Sequence, residues 1–184
     1  LKIAAPSAGS AKAMKLWQKE YKKATGADQA DILRMLAKAN HKESFVEAML
    51  LPALSSKNKF VRITAASEIA SYRNKKYTPA LLDYLLRSTD ADELALAQSA
   101  LLQVADKETD GLVAQKIESA QSKNKIALLE ILATRRAVNY FDVVAKQTTS
   151  NEALVKEAAF HALPNVSSGS NMGALLAMLS RTEN

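Results

Sequence analysis

Along most of the chain, apolar residues return every three to four positions, the spacing that gathers them on one side of an α-helix. The clearest stretch is Met49-Leu50-Leu51-Pro52-Ala53-Leu54, a polar turn Ser55-Ser56-Lys57-Asn58-Lys59, then Phe60-Val61-Arg62-Ile63-Thr64-Ala65-Ala66-Ser67-Glu68-Ile69-Ala70. Val61, Ala65 and Ile69 stand one helical turn apart, and Val155, Ala159 and Leu163 repeat the pattern. The same register pairs Ala97 with Leu101 and Ala127 with Ile131. The Ala series 65, 97, 127, 159 steps by 32, 30 and 32 residues, and its large partners keep those steps. A small residue lets neighbouring helices approach closely, and an aliphatic residue one turn on fills the space between repeats.

This periodicity predicts a leading helix over about 10–25, a stop and new cap at Gly26-Ala27-Asp28, and a second helix over about 28–40. Four helix pairs follow: 43–55 with 59–73, 77–88 with 91–105, 108–121 with 124–135, and 137–147 with 151–163. A single helix over about 171–181 comes last, after the loop-like Pro-Asn-Val-Ser-Ser-Gly-Ser-Asn of 164–171. The tetrapeptide Ser-Lys-Asn-Lys stands at both 56–59 and 122–125, 66 residues apart, and reads as the same turn in two equivalent repeats. Such turns offer Ser, Thr, Asn or Asp to cap the next helix. The expected organisation is a flexible segment over 1–10 and one repeat domain over 11–184. Within that domain, 11–42 form a leading helix pair and 43–184 the repeats.

Composition narrows the class. The chain holds 33 Ala and 24 Leu, nearly a third of its 184 residues, against 5 Gly and 4 Pro. With aromatics at 5%, this excludes sandwiches, barrels and doubly wound sheets, while 48% hydrophobic content excludes disorder. The fold class is all-α. Without Cys there is no disulfide, thiolate nucleophile or Cys-ligated metal, and no apolar run is long enough for a transmembrane segment. The chain begins at Leu1, and its small opening residues Ala4-Ala5-Pro6-Ser7-Ala8-Gly9-Ser10 lean towards a secreted or periplasmic origin, or a piece of a longer protein.

Charge is uneven. The net +6 comes from the first half, and the first 42 residues alone carry 9 basic and 3 acidic side chains. From Lys12 to Lys23 the sequence is amphipathic, with Met14, Trp17, Tyr21 and Ala24 on one side and Lys12, Lys15, Lys19, Lys22 and Lys23 on the other. The favoured reading is an end cap in which Trp17 and Tyr21 pack on the first repeat. The other reading is a basic face for nucleic acid or lipid headgroups.

Leu-Leu-Pro-Ala-Leu, a short polar turn and Val-Arg-x-x-Ala-Ala-x-x-Ile-Ala resemble the HEAT repeat, in its short bacterial variety. The resemblance runs over 45–73, 77–105 and 137–163, and is weakest over 108–135. Arg62 matches the family's Arg after Val, Lys156 nearly matches it, and Asn58 occupies the usual Asp position in the turn. Leu94 and Asn124 depart from the pattern, so packing is expected to depend on the aliphatic core more than on a continuous Asp–Arg ladder. The resemblance implies a right-handed α-α superhelix of antiparallel helix pairs whose second helices line a concave binding surface. It implies a non-catalytic scaffold or interaction module, although a few HEAT-like relatives are DNA glycosylases or lyases.

In the repeat register, Ser67, Ser99, Leu129 and His161 follow the marker Ala by two positions, and Glu68, Ala100, Glu130 and Ala162 by three. Arg62, Leu94, Asn124 and Lys156 precede it by three. The expected binding residues on that ridge are Arg62, Glu68, Glu130, Lys156 and His161. Mixed charge favours a protein partner, or another domain of the same polypeptide, over nucleic acid, which would need several Lys or Arg there. His41 and His161 lie 120 residues apart and are not expected to meet. No phosphate-binding Gly loop, HExxH or GxSxG pattern occurs, so no catalytic residue, metal or cofactor is expected.

Overall fold

Caps and short polar turns cut the chain into helices that are individually too short to be stable in water and must pack to persist. The computed structural model describes residues 10–40 and 42–182, and all regular structure among them is helical. His41 and residues 1–9, most of the segment expected to be flexible, lie outside them. The chain divides into two compact units, Leu1–Val104 and Ala105–Asn184.

In the first unit, α1 (Ala11–Lys23) starts where the Ser10 hydroxyl accepts the Ala13 N–H at 3.2 Å. Helix α2 (Gly26–Ala39) begins at Gly26, whose φ of +57° suits a residue without Cβ, so the helix opens two positions before the expected cap at Asp28. Helix α3 runs through three contiguous segments, Glu43–Phe45, a π turn Val46–Leu50, and Leu51–Ala53. Pro52 has no N–H for the Ala48 carbonyl and its ring crowds that turn. The wider π turn, in which the Leu51 N–H reaches the Val46 carbonyl, accommodates it. Helix α4 (Lys59–Ser71), a 3₁₀ turn (Lys75–Tyr77), α5 (Thr78–Arg87) and α6 (Ala91–Val104) complete the unit.

The second helices carry the core. Helix α4 packs against α2 on one side and α6 on the other, and α1, α3 and α5 each pack on the second helix of their own pair. Ala65, Ala97, Ile69 and Leu101 are all buried, as the repeat register requires. Polar bonds between pairs carry the same period. The Asn58 side chain accepts the Phe60 N–H at 3.0 Å, capping α4, and donates to the Gly26 carbonyl 32 residues back at 2.6 Å. Tyr72 donates to the Asn40 carbonyl at 3.1 Å, and Arg87 to the Ser55 hydroxyl at 3.2 Å, each 32 residues away. One Asn thus ends a turn and ties two repeats together.

The second unit holds α7 (Lys107–Ile117), α8 (Ser122–Thr134), α9 (Phe141–Gln147), α10 (Ala153–Val166) and α11 (Met172–Thr182), with 3₁₀ turns at Val138–Tyr140 and Gly169–Asn171. Asp106 and Thr109 form a capping box at the start of α7. Helix α8 packs against α10, with α7 on α8 and α9 on α10. Ala127, Ile131, Ala159 and Leu163 are buried between them.

Two sequence expectations are corrected here. Ser-Lys-Asn-Lys is a turn at 56–59, but at 122–125 it is the first turn of α8, and Asn124 is buried. The tetrapeptides are 66 residues apart while Ala65 and Ala127 are 62 apart, so the second copy sits one helical turn late. The core register prevails because burying the apolar face is worth more than one cap. The loop expected from Pro164 starts only after Val166. Pro164 removes a single bond, to the Phe160 carbonyl, in the final turn, and the buried Val166 holds that turn against the core.

Candidate functional site

Arg62, expected on the binding ridge, is engaged within the fold. Its guanidinium grips the Glu93 carboxylate with two bonds, Nε to Oε1 at 2.7 Å and NH2 to Oε2 at 2.8 Å. NH1 donates to the Ser56 and Lys57 carbonyls at 2.8 and 3.1 Å. Tyr84 donates its hydroxyl to Glu93 at 3.0 Å, and the two Asp90 contacts that cap α6 end at the Asp92 and Glu93 N–H groups. This cluster borders a polar cavity of about 260 Å³ whose lining also includes Ser55 and Arg87. Its partners are all internal, which gives Arg62 a role in joining repeats.

The Arg62 hydrogen bond holds the Glu93 carboxyl below the usual carboxylate range, against the opposing effect of burial. Because the folded value is lower than the unfolded one, the pair's contribution is complete above the ordinary range and is lost as pH falls through the folded value. Wild type is therefore expected to exceed Glu93→Gln in stability near neutrality, with the gap shrinking between about pH 5 and 2. Urea melts across that window check this. A gap that stays constant would place the acid sensitivity elsewhere, for instance in the exposed pairs Glu43–Lys76, Asp90–Lys59 and Glu118–Lys146, whose carboxyls are also lowered by their lysines.

Two of the expected residues do come together. Glu130 of α8 and His161 of α10 line one open groove of about 510 Å³. Ala133, Ala158 and Ala162 also line it, and these small side chains leave room where the two helices pack. Thr134, Arg136 and Asn165 add further polar groups. His161 is exposed, with its Nε2 3.8 Å from the equally solvated Glu157 carboxylate.

Thr134, Arg136 and Asn165 are absent from the sequence-based set, and for Arg136 and Asn165 the cause is local. Asn165 follows His161 by four residues, one turn along the same face, but Pro164 makes that turn read as a loop. Arg136 follows the end of α8 with φ of +51°, the left-handed conformation in which helices often terminate. Its neighbour Arg135 is directed elsewhere, donating to Asp110 and to the Asp106 carbonyl. The Arg-Arg pair therefore divides into a joining residue and a groove residue.

The other expected residues lie apart from this groove. Glu68 is half-buried on α4 in the first unit. Lys156 is exposed and lines a separate cavity with Asp142, Lys146, Phe160 and Met178. Leu129, placed on the ridge by register, is fully buried. Lys12, Lys15, Lys19, Lys22 and Lys23 are all exposed on α1, and Lys23 pairs with Glu20 at 2.9 Å. Trp17 and Tyr21 are half-buried, so α1 is covered on one side only. Among the described residues, no group of three or more His, Cys, Asp or Glu side chains could hold a metal ion, and no helix is long and apolar enough to cross a membrane.

Paired helices with stacked second members and bonds recurring at about one repeat length define an α-α repeat protein. Residues 16–102 match the family model for HEAT repeats, which supports a HEAT-repeat family for this stretch. The match begins inside α1 and runs on into α6. All regular structure among the described residues is helical, which fits the all-α solenoid that HEAT repeats form, and HEAT repeats generally mediate protein interaction or scaffolding. No curated protein matches the chain.

Proposed function

We propose that this protein is a non-catalytic interaction module that holds a segment of another protein, or of another domain in the same polypeptide, against its second helices. The supporting observation is the α8–α10 groove, where an acid, a guanidinium, an imidazole and an amide stand along a floor of small residues. A trough of this kind suits an extended peptide with both charged and backbone groups to satisfy. Each polar wall residue fixes orientation, and the alanine floor lets the chain settle close to the helices.

A photo-crosslinking residue at His161 would capture the occupant, and mass spectrometry of the adduct would identify the segment for titration. Arg136→Gly is the informative variant, because glycine accepts the left-handed conformation that arginine adopts only at a cost. Its thermal stability is expected to match or exceed wild type, while affinity for the captured segment falls about tenfold, or about 1.4 kcal/mol. Glu130→Lys is expected to weaken binding by a similar factor. If both variants bind the purified segment as wild type does, the groove is not the binding site.

A further inference from the structure

On the first-helix side of the first unit, α1 and α3 leave a second groove between them. Two cavities, of about 390 and 510 Å³, share Lys15, Gln18, Ala48 and Met49 and so run together. From α1 the lining includes Met14, Lys15, Lys19 and Lys22, and from the start of α3 Phe45, with Lys42 just before it. The floor is apolar and built largely of thioethers, which adapt to varied partners. The rim is cationic, with Lys15, Lys19, Lys22 and Lys42 and no carboxylate among the lining residues.

Local structure explains how the groove forms. Lys15, Lys19 and Lys22 follow one another by four and three positions, so they form a stripe along one side of α1. The π turn imposed by Pro52 includes Ala48 and Met49, which lie on the accessible side while Val46 and Leu50 face the core. The nearby acids of α3 are engaged by the next repeat, Lys76 reaching Glu43 at 2.9 Å and Glu47 at 3.1 Å. Among the described residues, no carboxylate lines the groove beside these lysines.

We infer that the α1–α3 groove docks an acidic amphipathic helix of a partner protein, at a site separate from the α8–α10 groove. The occupant's apolar stripe lies on Met14, Phe45, Ala48 and Met49, and its carboxylates meet Lys15, Lys19, Lys22 and Lys42. The α1 side of the groove, from Met14 to Lys22, is roughly 12 Å long at the helical rise, enough for two to three turns of a partner helix. Nucleic acid fits the same lysines less well. The Met and Ala of the floor give phosphates no donors, and of the two aromatics in the lining Phe45 is buried and Tyr21 half-buried, which leaves little face open to stack on a base. Residues 1–9 of this chain hold one Lys and no Asp or Glu, so they cannot supply the complementary charge.

The test uses the full chain and a fluorescein-labelled designed helix of about sixteen residues with Leu at heptad a and d positions and Glu on the remaining face. Polarisation titrations compare it with the same helix carrying Lys for Glu, with a single-stranded DNA of about twenty nucleotides, and with phosphatidylserine vesicles. The acidic helix is expected to bind and the basic one not. Lys15→Glu with Lys19→Glu should weaken binding about tenfold. Lys38→Glu with Lys57→Glu makes the same charge change on exposed residues off the groove and should change affinity less than about twofold.

Ala48→Glu, an exposed floor position, should also abolish binding, with an unchanged circular dichroism spectrum and melting curve showing that each variant folds. Trp17, the single tryptophan and part of α1, should report docking through its emission, while Arg136→Gly should leave this binding intact. Equal weakening by the two double variants, or equal binding of the acidic and basic helices, would overturn the inference. So would tighter binding of DNA or vesicles than of the acidic helix with the same variant pattern, since that would assign the lysines to phosphate.

Discussion

Glu93→Ala is expected to destabilise the first unit by about 3 kcal/mol, the largest effect of any single polar substitution considered. The Glu93 side chain is only 6% exposed and that of Arg62 24%. Truncation would leave two guanidinium N–H groups and the buried Tyr84 hydroxyl without their acceptor. Most of the cost is that of unsatisfied donors, so removing both sides should restore much of it. The double variant Arg62→Leu with Glu93→Leu should recover more than half the loss, because a well-packed apolar pair avoids the desolvation penalty of two charges. By contrast, Lys59→Ala breaks exposed contacts to Asp90 and Asp92 and should cost less than about 1 kcal/mol. Urea melts followed by circular dichroism distinguish these cases. A Glu93→Ala variant within about 1 kcal/mol of wild type would show that the pair does not join the repeats.

Leu129→Ala is expected to cost roughly 2–5 kcal/mol, as for a leucine lost from a packed interior. Register alone places Leu129 with Ser67, Ser99 and His161, two residues after each marker Ala, and predicts almost no effect. The structure separates them: Leu129 has no exposed surface, while the other three are exposed. His161→Ala and Ser99→Ala should therefore stay within about 0.5 kcal/mol of wild type. If Leu129→Ala melts like those two, the burial of α8 on that side is wrong.

Periodicity reached furthest where local and tertiary forces agree. All four marker alanines and their aliphatic partners are buried, and most helix bounds fall within a few residues of those expected. Helical spacing is a property of the backbone, and an amphipathic face has only one side to bury. The family match takes in most of the leading pair as well. The sequence there departs from the Val-Arg pattern while keeping the helix pair.

The site was only partly legible. Glu130 and His161 belong to the α8–α10 groove, but Arg62 and Lys156 point to other uses, while Arg136 reads in the sequence as a helix C-terminal cap and Asn165, after a proline, as a loop residue. Register counts positions along one helix, whereas a groove depends on which residues of two helices stay small enough to leave space. The same limit applies to the lysines of α1. Their stripe is visible in the sequence, but the apolar floor beside it needs α3, its π turn and the engagement of Glu43 and Glu47 by Lys76.

The amino-acid sequence by itself determined the all-α class, the repeat length of about thirty residues, and the burial of the marker alanines and their aliphatic partners. These follow from spacing and side-chain size, which act within a helix or between adjacent ones. Tertiary structure decided how each polar residue is used. The tetrapeptide at 122–125 joined a helix because core burial outweighed its turn chemistry, and Arg62 became a joining residue because Glu93 stood 31 positions away with no better partner than its guanidinium. A charge acquires its role from what the packed helices bring within reach of it.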